Sequence, residues 1–324
     1  MSAIVATVRS PRRLGLAYIA QSGLAAWIIV ALLIVGLTIA DPSGFWTSRN
    51  IANVLTACVV LGLVAVGQEL VVLTGGIDLS VGSTASLSAL VTAILIDGYP
   101  IRTLPVILLV LAMGAAIGAG HGVLTARTGL PAFVVTLATF YLLQGIAFMI
   151  STTPKGQVTT ALSNFALERV GPLPVVLSAL VAAVLIVGGL LRWTPFGRHV
   201  YAAGGDPDAA RANGVPVTRT VIGAYVICSA LAAAAGVVLA ARATVGSPTA
   251  GQGLELSAIT VVVIGGTSLL GGRGTLLGTL GGVLLLALIE SSFTLLQLEA
   301  TLTDLIRGLV ILAAAAIFVR RTRR

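Results

Sequence analysis

The stretch GGIDLSVGS, residues 75–83, interrupts a long apolar run with glycines, serines and a carboxylate. A charged group and a glycine-broken helix are costly in lipid unless they line a cavity or pack inside protein. Helices broken within the membrane are also the places where transporters tend to bind and gate. The stretch therefore predicts a functional interruption between two membrane helices, with Asp78 at its centre.

The composition is that of a membrane protein. Of the 324 residues, 57% are hydrophobic and 9% are charged, and the mean hydropathy is +1.07. Soluble proteins carry about 25% charged residues, and a membrane helix needs about 20 apolar residues. We expect one all-α polytopic bundle of about ten transmembrane helices over residues 1–324, with no separate soluble domain. The predicted spans are 24–40, 54–74, 79–96, 104–124, 130–150, 173–191, 221–241, 254–270, 275–293 and 301–319.

The basic residues indicate an orientation in the membrane. A formal net charge of +8 could suggest nucleic-acid binding. The arginines lie at the ends of apolar runs, however, so no nucleic-acid partner is predicted. Most of the 19 basic residues fall in the cytoplasm when both termini are cytoplasmic, as the positive-inside rule favours. The predicted cytoplasmic segments are then 1–23, 192–220 and 320–324.

No metal site is predicted. Cys58 and Cys228 both lie inside apolar runs, and we interpret them as small core residues. His121 and His199 are far apart in the sequence and have no second ligand nearby.

The interruption at residues 75–83 has a partner later in the chain. VVLTGGIDLSVGS at 71–83 resembles VVVIGGTSLLGGR at 261–273 when Gly75–Gly76 is placed over Gly265–Gly266. Internally repeated broken helices are typical of transporter folds and place the site between the repeats. The alternative to a true repeat is chance similarity between glycine-rich membrane helices. For Glu69, the alternative to a role in the translocation path is capping or packing against a neighbouring helix. The candidate translocation-path residues are Gln68, Glu69, Gly75, Gly76, Asp78, Ser80, Gly82, Ser83, Gly265, Gly266, Gly271 and Gly272.

The predicted cytoplasmic loop contains DPDAARANG, residues 206–214, which reads as a short capped helix. Asp206 suits the N-cap, Pro207 suits the first helical position, and Gly214 suits the left-handed position after the helix. So short a helix is not stable alone. We therefore interpret it as a docking element for a soluble partner rather than as a simple connection. The candidate coupling residues are Gly205, Asp206, Pro207, Asp208, Ala209, Ala210, Arg211, Asn213 and Gly214.

Several segments together resemble a known family. They are GGIDLSVGS at 75–83, YAAGGDPDAARANGV at 201–215, PTAGQGLELSAITVVVIGGTSLLGGRGTLLGT at 248–279, and the last span. This set is similar to the ribose-type permeases, which are the membrane subunits of bacterial ATP-binding-cassette sugar importers. The resemblance covers most of the chain from about residue 50 and is specific to the broader permease group rather than to one sugar.

The resemblance implies a set of partners and a location. It implies a second permease subunit (the same chain or a related one), a cytosolic ATPase and an extracytoplasmic sugar-binding protein. It also implies that the helix at 206–214 is the coupling helix seated on the ATPase. The expected location is the bacterial cytoplasmic membrane, with the chain crossing the lipid bilayer many times.

The chain is not expected to be an enzyme or to hold a cofactor. A phosphate-binding loop needs a lysine followed by Ser or Thr in a glycine-rich turn. The single lysine, Lys155, follows Pro154, and GGRGT at 271–275 lacks one. ATP and Mg²⁺ are therefore expected on the partner ATPase.

The substrate is less clearly indicated. Phe140, Tyr141 and Gln144 combine aromatic and polar groups in the way that sugar sites do, but packing between helices is the interpretation that we favour for them. The nearest alternative is a branched-chain amino-acid permease of the same group. A second is a proton-coupled transporter that uses Glu69 and Glu290, and a third, a membrane-embedded enzyme, lacks a cluster of catalytic groups.

Overall fold

The computed structural model describes residues 23–295 and Gly308. This part of the chain is built of helices with one small hairpin. The helices are α1 Leu24–Ala40, α2 Pro42–Phe45, α3 Ser48–Leu73, α4 Val81–Ile96, α5 Pro100–Thr128, α6 Ala132–Ile150, α7 Thr160–Leu167, α8 Leu177–Trp193, α9 Pro195–Gly205, α10 Pro207–Ala212, α11 Val217–Ala243, α12 Leu254–Ile264 and α13 Leu276–Leu295. The strands β1 Arg169–Val170 and β2 Leu173–Pro174 pair antiparallel.

Within residues 23–295, five helices are long and apolar enough to cross a membrane. They are α3, α5, α6, α11 and the Leu276–Phe293 part of α13. A sixth span results if α8 and α9, which meet at a 75° bend, are counted together. The predicted all-α integral membrane protein is confirmed, whereas the predicted number of ten spans is not. The span predicted at 301–319 and the segments 1–22 and 320–324 lie outside the described residues.

One predicted span was wrong in its extent. We expected residues 254–270 to cross the membrane, but α12 ends at Ile264 and has 11 residues. At 1.5 Å per residue it is about 16 Å long, which is short of a hydrocarbon core of about 30 Å. The reason is local, because a glycine cap at residues 265–266 stops the helix before it can cross.

The predicted cytoplasmic loop is also more ordered than expected. Residues 195–205 form α9 and residues 207–212 form α10, so most of the segment 192–220 is helical. Pro195 occupies the first turn of α9, where a missing backbone N–H does no harm.

The core is centred on α11, which packs against α3, α4 and α5. The helix α3 is itself almost fully enclosed, and most of its residues from Cys58 to Leu73 are buried. Cys58 and Cys228 are free and buried in this core, as predicted.

Glycines bring α5 and α11 into close contact. Gly114, Gly118 and Gly122 are spaced four residues apart, so they share one face of α5. A Cβ on Gly114 would lie 2.6 Å from the Ser229 carbonyl oxygen, and one on Gly122 would lie 2.5 Å from the Ile222 Cα. Small residues allow this approach, which is how membrane helices gain packing contacts without a hydrophobic driving force.

The segment between α6 and α8 is fixed to the rest of the fold by its backbone. Lys155 and Gly246 form an antiparallel bridge, the Gln157 amide donates to the Ala93 carbonyl (3.0 Å), and the Val158 amide donates to the Thr244 carbonyl (3.1 Å). This segment therefore covers the C-terminal ends of α4 and α11.

The glycine contacts make a specific prediction about stability. Gly122→Ala should destabilise the protein, because the added methyl group would overlap α11 and overpacking costs about 1–3 kcal/mol. The melting temperature in detergent should therefore fall. Gly120→Ala is the matched control, since a Cβ at that position of the same helix meets no atom within 4 Å. Equal melting temperatures for the two variants would contradict the packing described here.

Candidate functional site: two helix breaks and a capped helix

The two helix breaks begin with the same hydrogen-bonded cap. At the end of α3, Gly75 (φ 82°) donates to the Val72 carbonyl at 2.9 Å and Gly76 donates to the Val71 carbonyl at 3.0 Å. At the end of α12, Gly266 (φ 92°) donates to Val263 at 3.0 Å and Thr267 donates to Val262 at 3.2 Å. Both patterns are Schellman caps, in which a left-handed residue turns the chain out of the helix.

The structure therefore shifts the predicted alignment of the breaks by one residue. Gly75 corresponds to Gly266 rather than to Gly265, because these two residues take the left-handed position of their caps. Beyond the caps the breaks differ in length, since α4 begins at Val81 and α13 begins at Leu276. What is repeated is thus the way in which the two helices end.

The first break is organised around the Asp78 carboxylate, which is fully buried. Its Oδ1 accepts hydrogen bonds from the Ser80 amide (2.9 Å) and hydroxyl (2.6 Å). Its Oδ2 accepts from the Ser229 hydroxyl of α11 (3.3 Å) and lies 3.5 Å from His121 Nδ1 of α5. A buried carboxylate needs such partners, because lipid and packed side chains cannot solvate it.

The backbone of the first break is satisfied by side chains from two other helices. The Gln68 amide pairs with both polar groups of the Asp78 backbone, donating to the carbonyl at 3.2 Å and accepting from the N–H at 3.1 Å. The Thr136 hydroxyl of α6 donates to the Ile77 carbonyl at 3.1 Å. These bonds replace those that a continuous helix would have made, as a membrane interior requires.

His121 is a residue of the candidate site that the sequence reasoning missed. It was considered only as a metal ligand and set aside, yet it is the nearest basic group to Asp78. A signal was available, since a histidine within an apolar run is itself an intramembrane ionisable residue. Its partner could not be identified because 43 positions separate it from Asp78.

The second break is held by Glu69, the residue that follows Gln68 in α3. The Glu69 carboxylate is fully buried and accepts hydrogen bonds from the Thr267 hydroxyl (2.9 Å to each oxygen) and the Thr279 hydroxyl (2.7 Å). The Gly272 amide donates to the Leu73 carbonyl at 2.9 Å. The consecutive residues Gln68 and Glu69 thus hold one break each.

The remaining predicted path residues also lie in packed surroundings. Ser80 and Ser83 are buried, and the Ser83 hydroxyl donates to the Ser80 carbonyl at 2.9 Å. A Cβ on Gly82 would overlap the Glu255 carboxylate. In this conformation the polar side chains of the breaks fasten the breaks together, and they do not line an open channel.

The capped helix has the geometry predicted for it. Asp206 accepts from the amides of Asp208 and Ala209 at 3.0 Å, and Pro207 begins the helix. Gly214 lies in the left-handed position. Ala210 is buried against Ala203 of α9 and Val217 of α11. The exposed Asp208 and Arg211 form an ion pair at 2.6 Å.

The helix that leads into the capped helix touches both breaks at one glycine. Gly204 is the last residue but one of α9, and a Cβ there would overlap the Leu73 carbonyl oxygen and lie 2.6 Å from the Gly272 nitrogen. A Cβ on Gly271 would lie 2.8 Å from both the Gly204 oxygen and the Gly75 nitrogen. The three backbones of α9, the first break and the second break are therefore in direct contact, with no side chain between them. Tyr201 adds a hydrogen bond to the Gly274 carbonyl at 3.2 Å.

A cavity of about 300 Å³ opens beside this junction. One wall is the first break, from Thr74 to Gly76, and another is α10, through Pro207 and Arg211. The C-terminal end of α5 and the first turns of α11 complete it.

The predicted sugar contacts are not brought together. Tyr141 is 68% exposed on the outer surface of α6, with Phe140 packed edge-on against it at 5.2 Å between ring centroids. The Gln144 amide is buried and donates to the Pro248 carbonyl at 2.9 Å. The rotation of α6 thus separates the aromatic rings from the amide.

The Asp78 network can be tested by stability. Asp78→Ala would leave the Ser80 amide and the Ser229 hydroxyl without their acceptor, at a cost of about 1–3 kcal/mol for each buried group. The melting temperature should fall clearly in comparison with the wild type. Glu168→Ala is the control, because Glu168 is an exposed carboxylate. An unchanged melting temperature for Asp78→Ala would show that this network does not hold the break.

One known protein family matches most of this chain. The sequence model of the family described as "Branched-chain amino acid transport system / permease component" matches residues 50–315. No solved structure matches the chain.

Curated relatives match over nearly their full lengths. The ribose import permease protein of Escherichia coli K12 is 36% identical over 296 residues, which are 90% of this chain and 92% of the relative. The fructose import permease protein of Rhizobium meliloti is 33% identical over 299 residues (90% and 83%). The autoinducer 2 import system permease protein of Klebsiella pneumoniae is 38% identical over 296 residues (89% and 84%). The resemblance to ribose-type permeases is confirmed, and this integral membrane chain belongs to the family of permease components of the branched-chain amino-acid transport system type.

Proposed function

We propose that this chain is the membrane subunit of an ATP-driven, binding-protein-dependent importer of a monosaccharide. The observation that carries the proposal is the contact at Gly204. It brings the end of α9, which leads directly into the capped helix α10, into backbone contact with both helix breaks. A coupling element needs this kind of stiff connection, because packed backbone transmits a displacement that a flexible linker would absorb.

The proposed mechanism is alternating access. ATP binding closes a pair of ATPase subunits and displaces α10 on each permease subunit. The displacement passes through Gly204 to Leu73 and Gly272, and so reaches both breaks together. The breaks then change the opening of a central path, and the solute delivered by the binding protein moves through it.

The proposal includes the partners and their placement. ATP and Mg²⁺ belong to the ATPase, and this chain holds no cofactor of its own. The second permease subunit is a copy of this chain or a related one. Both termini and α10 face the cytoplasm, which accords with the excess of basic residues on that side.

The main alternative is a branched-chain amino-acid permease. The description of the matching family favours it, whereas the curated relatives compared above are named for ribose, fructose and autoinducer 2 import. We favour a sugar because a relative named for ribose matches 90% of this chain.

Isolation of the complex tests the proposal directly. The chain is purified gently from its native membrane, and the co-purifying proteins are identified. An ATPase should co-purify with the wild type and be lost when residues 206–214 are replaced by a Gly/Ser linker. The control replaces residues 169–174 with the same linker. This hairpin precedes α8 in the sequence, whereas α10 follows α8, so the control changes a segment on the other side of α8. A chain that purifies alone and still moves solute along a proton gradient would overturn the proposal.

Gly204→Ala should uncouple transport from ATP hydrolysis. The added methyl would push α9 away from Leu73 and Gly272, and overpacking of this kind costs about 1–3 kcal/mol. Since about 1.4 kcal/mol corresponds to a tenfold change, we expect ATP-dependent uptake into proteoliposomes to fall about tenfold or more. ATP hydrolysis by the complex should persist. Gly189→Ala is the control, because its methyl would meet only the Trp193 ring, at 3.5 Å. Wild-type uptake by Gly204→Ala would remove the coupling role from this contact.

Glu69→Gln should have a modest effect in an ATP-driven importer. The glutamine keeps one acceptor oxygen, and the Thr267 and Thr279 hydroxyls can rotate to accept from its amide. We expect uptake within about threefold of the wild type, because altering one hydrogen bond changes the free energy only slightly. Uptake is measured over a range of pH, with Glu168→Gln as the control. Loss of transport with a displaced pH profile would favour the proton-coupled alternative.

A further inference from the structure

Residues 244–253 join α11 to α12 without forming a helix, and this connecting segment packs lengthwise along α4. A Cβ on Gly246 would lie 2.6 Å from the Leu90 Cα. A Cβ on Gly251 would overlap the Gly82 carbonyl oxygen. Gly82 and Leu90 are eight residues apart on α4, so the connecting segment follows this helix for about 12 Å.

The connecting segment reaches far below the surface of the membrane. The end of α4 at Ile96 is followed by the charged residues Asp97 and Arg102, which belong at a membrane boundary rather than in its interior. Gly82 lies at the opposite end of α4, whose 16 residues span about 24 Å. The hydrocarbon core is about 30 Å thick, so Gly251, which lies beside Gly82, is well inside it.

The side of the connecting segment that faces away from α4 is polar. Thr249 and Gln252 are both exposed, and the Thr249 hydroxyl lies 3.1 Å from the hydroxyl of Ser247. Within the hydrocarbon region, non-helical backbone does not face lipid, and it is found only where it is buried in protein or lines a water-filled space. An exposed polar face on such backbone therefore fits the wall of a water-filled space.

The opposite side of the connecting segment is fastened to the first break and to α4. The Gly251 amide donates to the Ser86 hydroxyl at 2.9 Å. The Glu255 carboxylate, at the start of α12, packs directly over Gly82. Because Gly82 belongs to the first break, a movement of that break would also move the connecting segment.

We infer that residues 247–252 form a wall of the translocation path, and that Thr249 and Gln252 contact water and the passing solute. The contact with the solute rests on the proposed function. The Gln252 amide supplies both hydrogen-bond donors and an acceptor, so it can replace the bonds that a hydrophilic solute makes with water. This wall gives the path a lining that the packed side chains of the two breaks do not provide.

Cysteine labelling tests whether this face meets water. Thr249→Cys and Gln252→Cys are made in the full chain, and its membranes are opened by freezing and thawing so that a charged methanethiosulfonate reagent reaches both sides. We expect both variants to react at least about tenfold faster than Leu108→Cys, because a thiol in lipid does not form the reactive thiolate. Leu108 is the matched control, since it is 57% exposed on the membrane-spanning helix α5. The wild type gives the background, because Cys58 and Cys228 are buried.

Labelling of either variant as slow as that of Leu108→Cys would overturn the inference, because lipid or another part of the protein would then cover this face.

Transport supplies a second readout. The full complex, with its ATPase and binding protein, is reconstituted in proteoliposomes, and ATP-dependent uptake of labelled D-ribose and D-fructose is measured. The reagent should remove most of the uptake by Gln252→Cys, a reductant should restore it, and Leu108→Cys should be unaffected. Fast labelling with unchanged uptake would overturn the contact with the solute. Absence of uptake of both sugars by the wild type would instead count against the proposed function, and the labelling rates would still decide whether the wall faces water.

Discussion

A helix that ends inside a membrane leaves backbone groups that lipid cannot satisfy, and the pairing of these groups is the constraint on which this structure depends. Two Schellman caps satisfy the first of them at Gly75 and Gly266. Other bonds satisfy more of them, since Gln68 pairs with the Asp78 backbone, the Thr136 hydroxyl donates to the Ile77 carbonyl, and the Gly272 amide donates to the Leu73 carbonyl. Without these bonds, each unpaired backbone group would cost several kcal/mol in a membrane interior.

The same arrangement connects structure to transport. Since Gln68 and Glu69 are neighbours on α3, each break is fastened to one buried helix, and a displacement of that helix reaches both. The helix α9, which leads directly into the capped helix α10, meets the breaks at Gly204, where the contact is made by main-chain atoms. A cavity of about 300 Å³ lies between the first break and α10, so a displacement of α10 would also change the shape of this space.

Features set by neighbouring residues could be predicted from the sequence, and features set by distant ones could not. The cap of α10 and the break at 75–83 depend on residues a few positions apart, so both could be predicted from the sequence. The alignment of the second break with the first could not be predicted, because either glycine of a Gly-Gly pair can take the left-handed position. The partners of Glu69 lie 198 and 210 positions away in the sequence, and the rotation of α6 that turned Tyr141 outward depends on packing.

The contact at Gly204 has a consequence for how such a transporter can change over time. Main-chain atoms keep their positions whatever side chains surround them, provided that no Cβ is added at the point of contact. Side chains around this junction can therefore be exchanged while the backbone contact between α9 and the two breaks is kept.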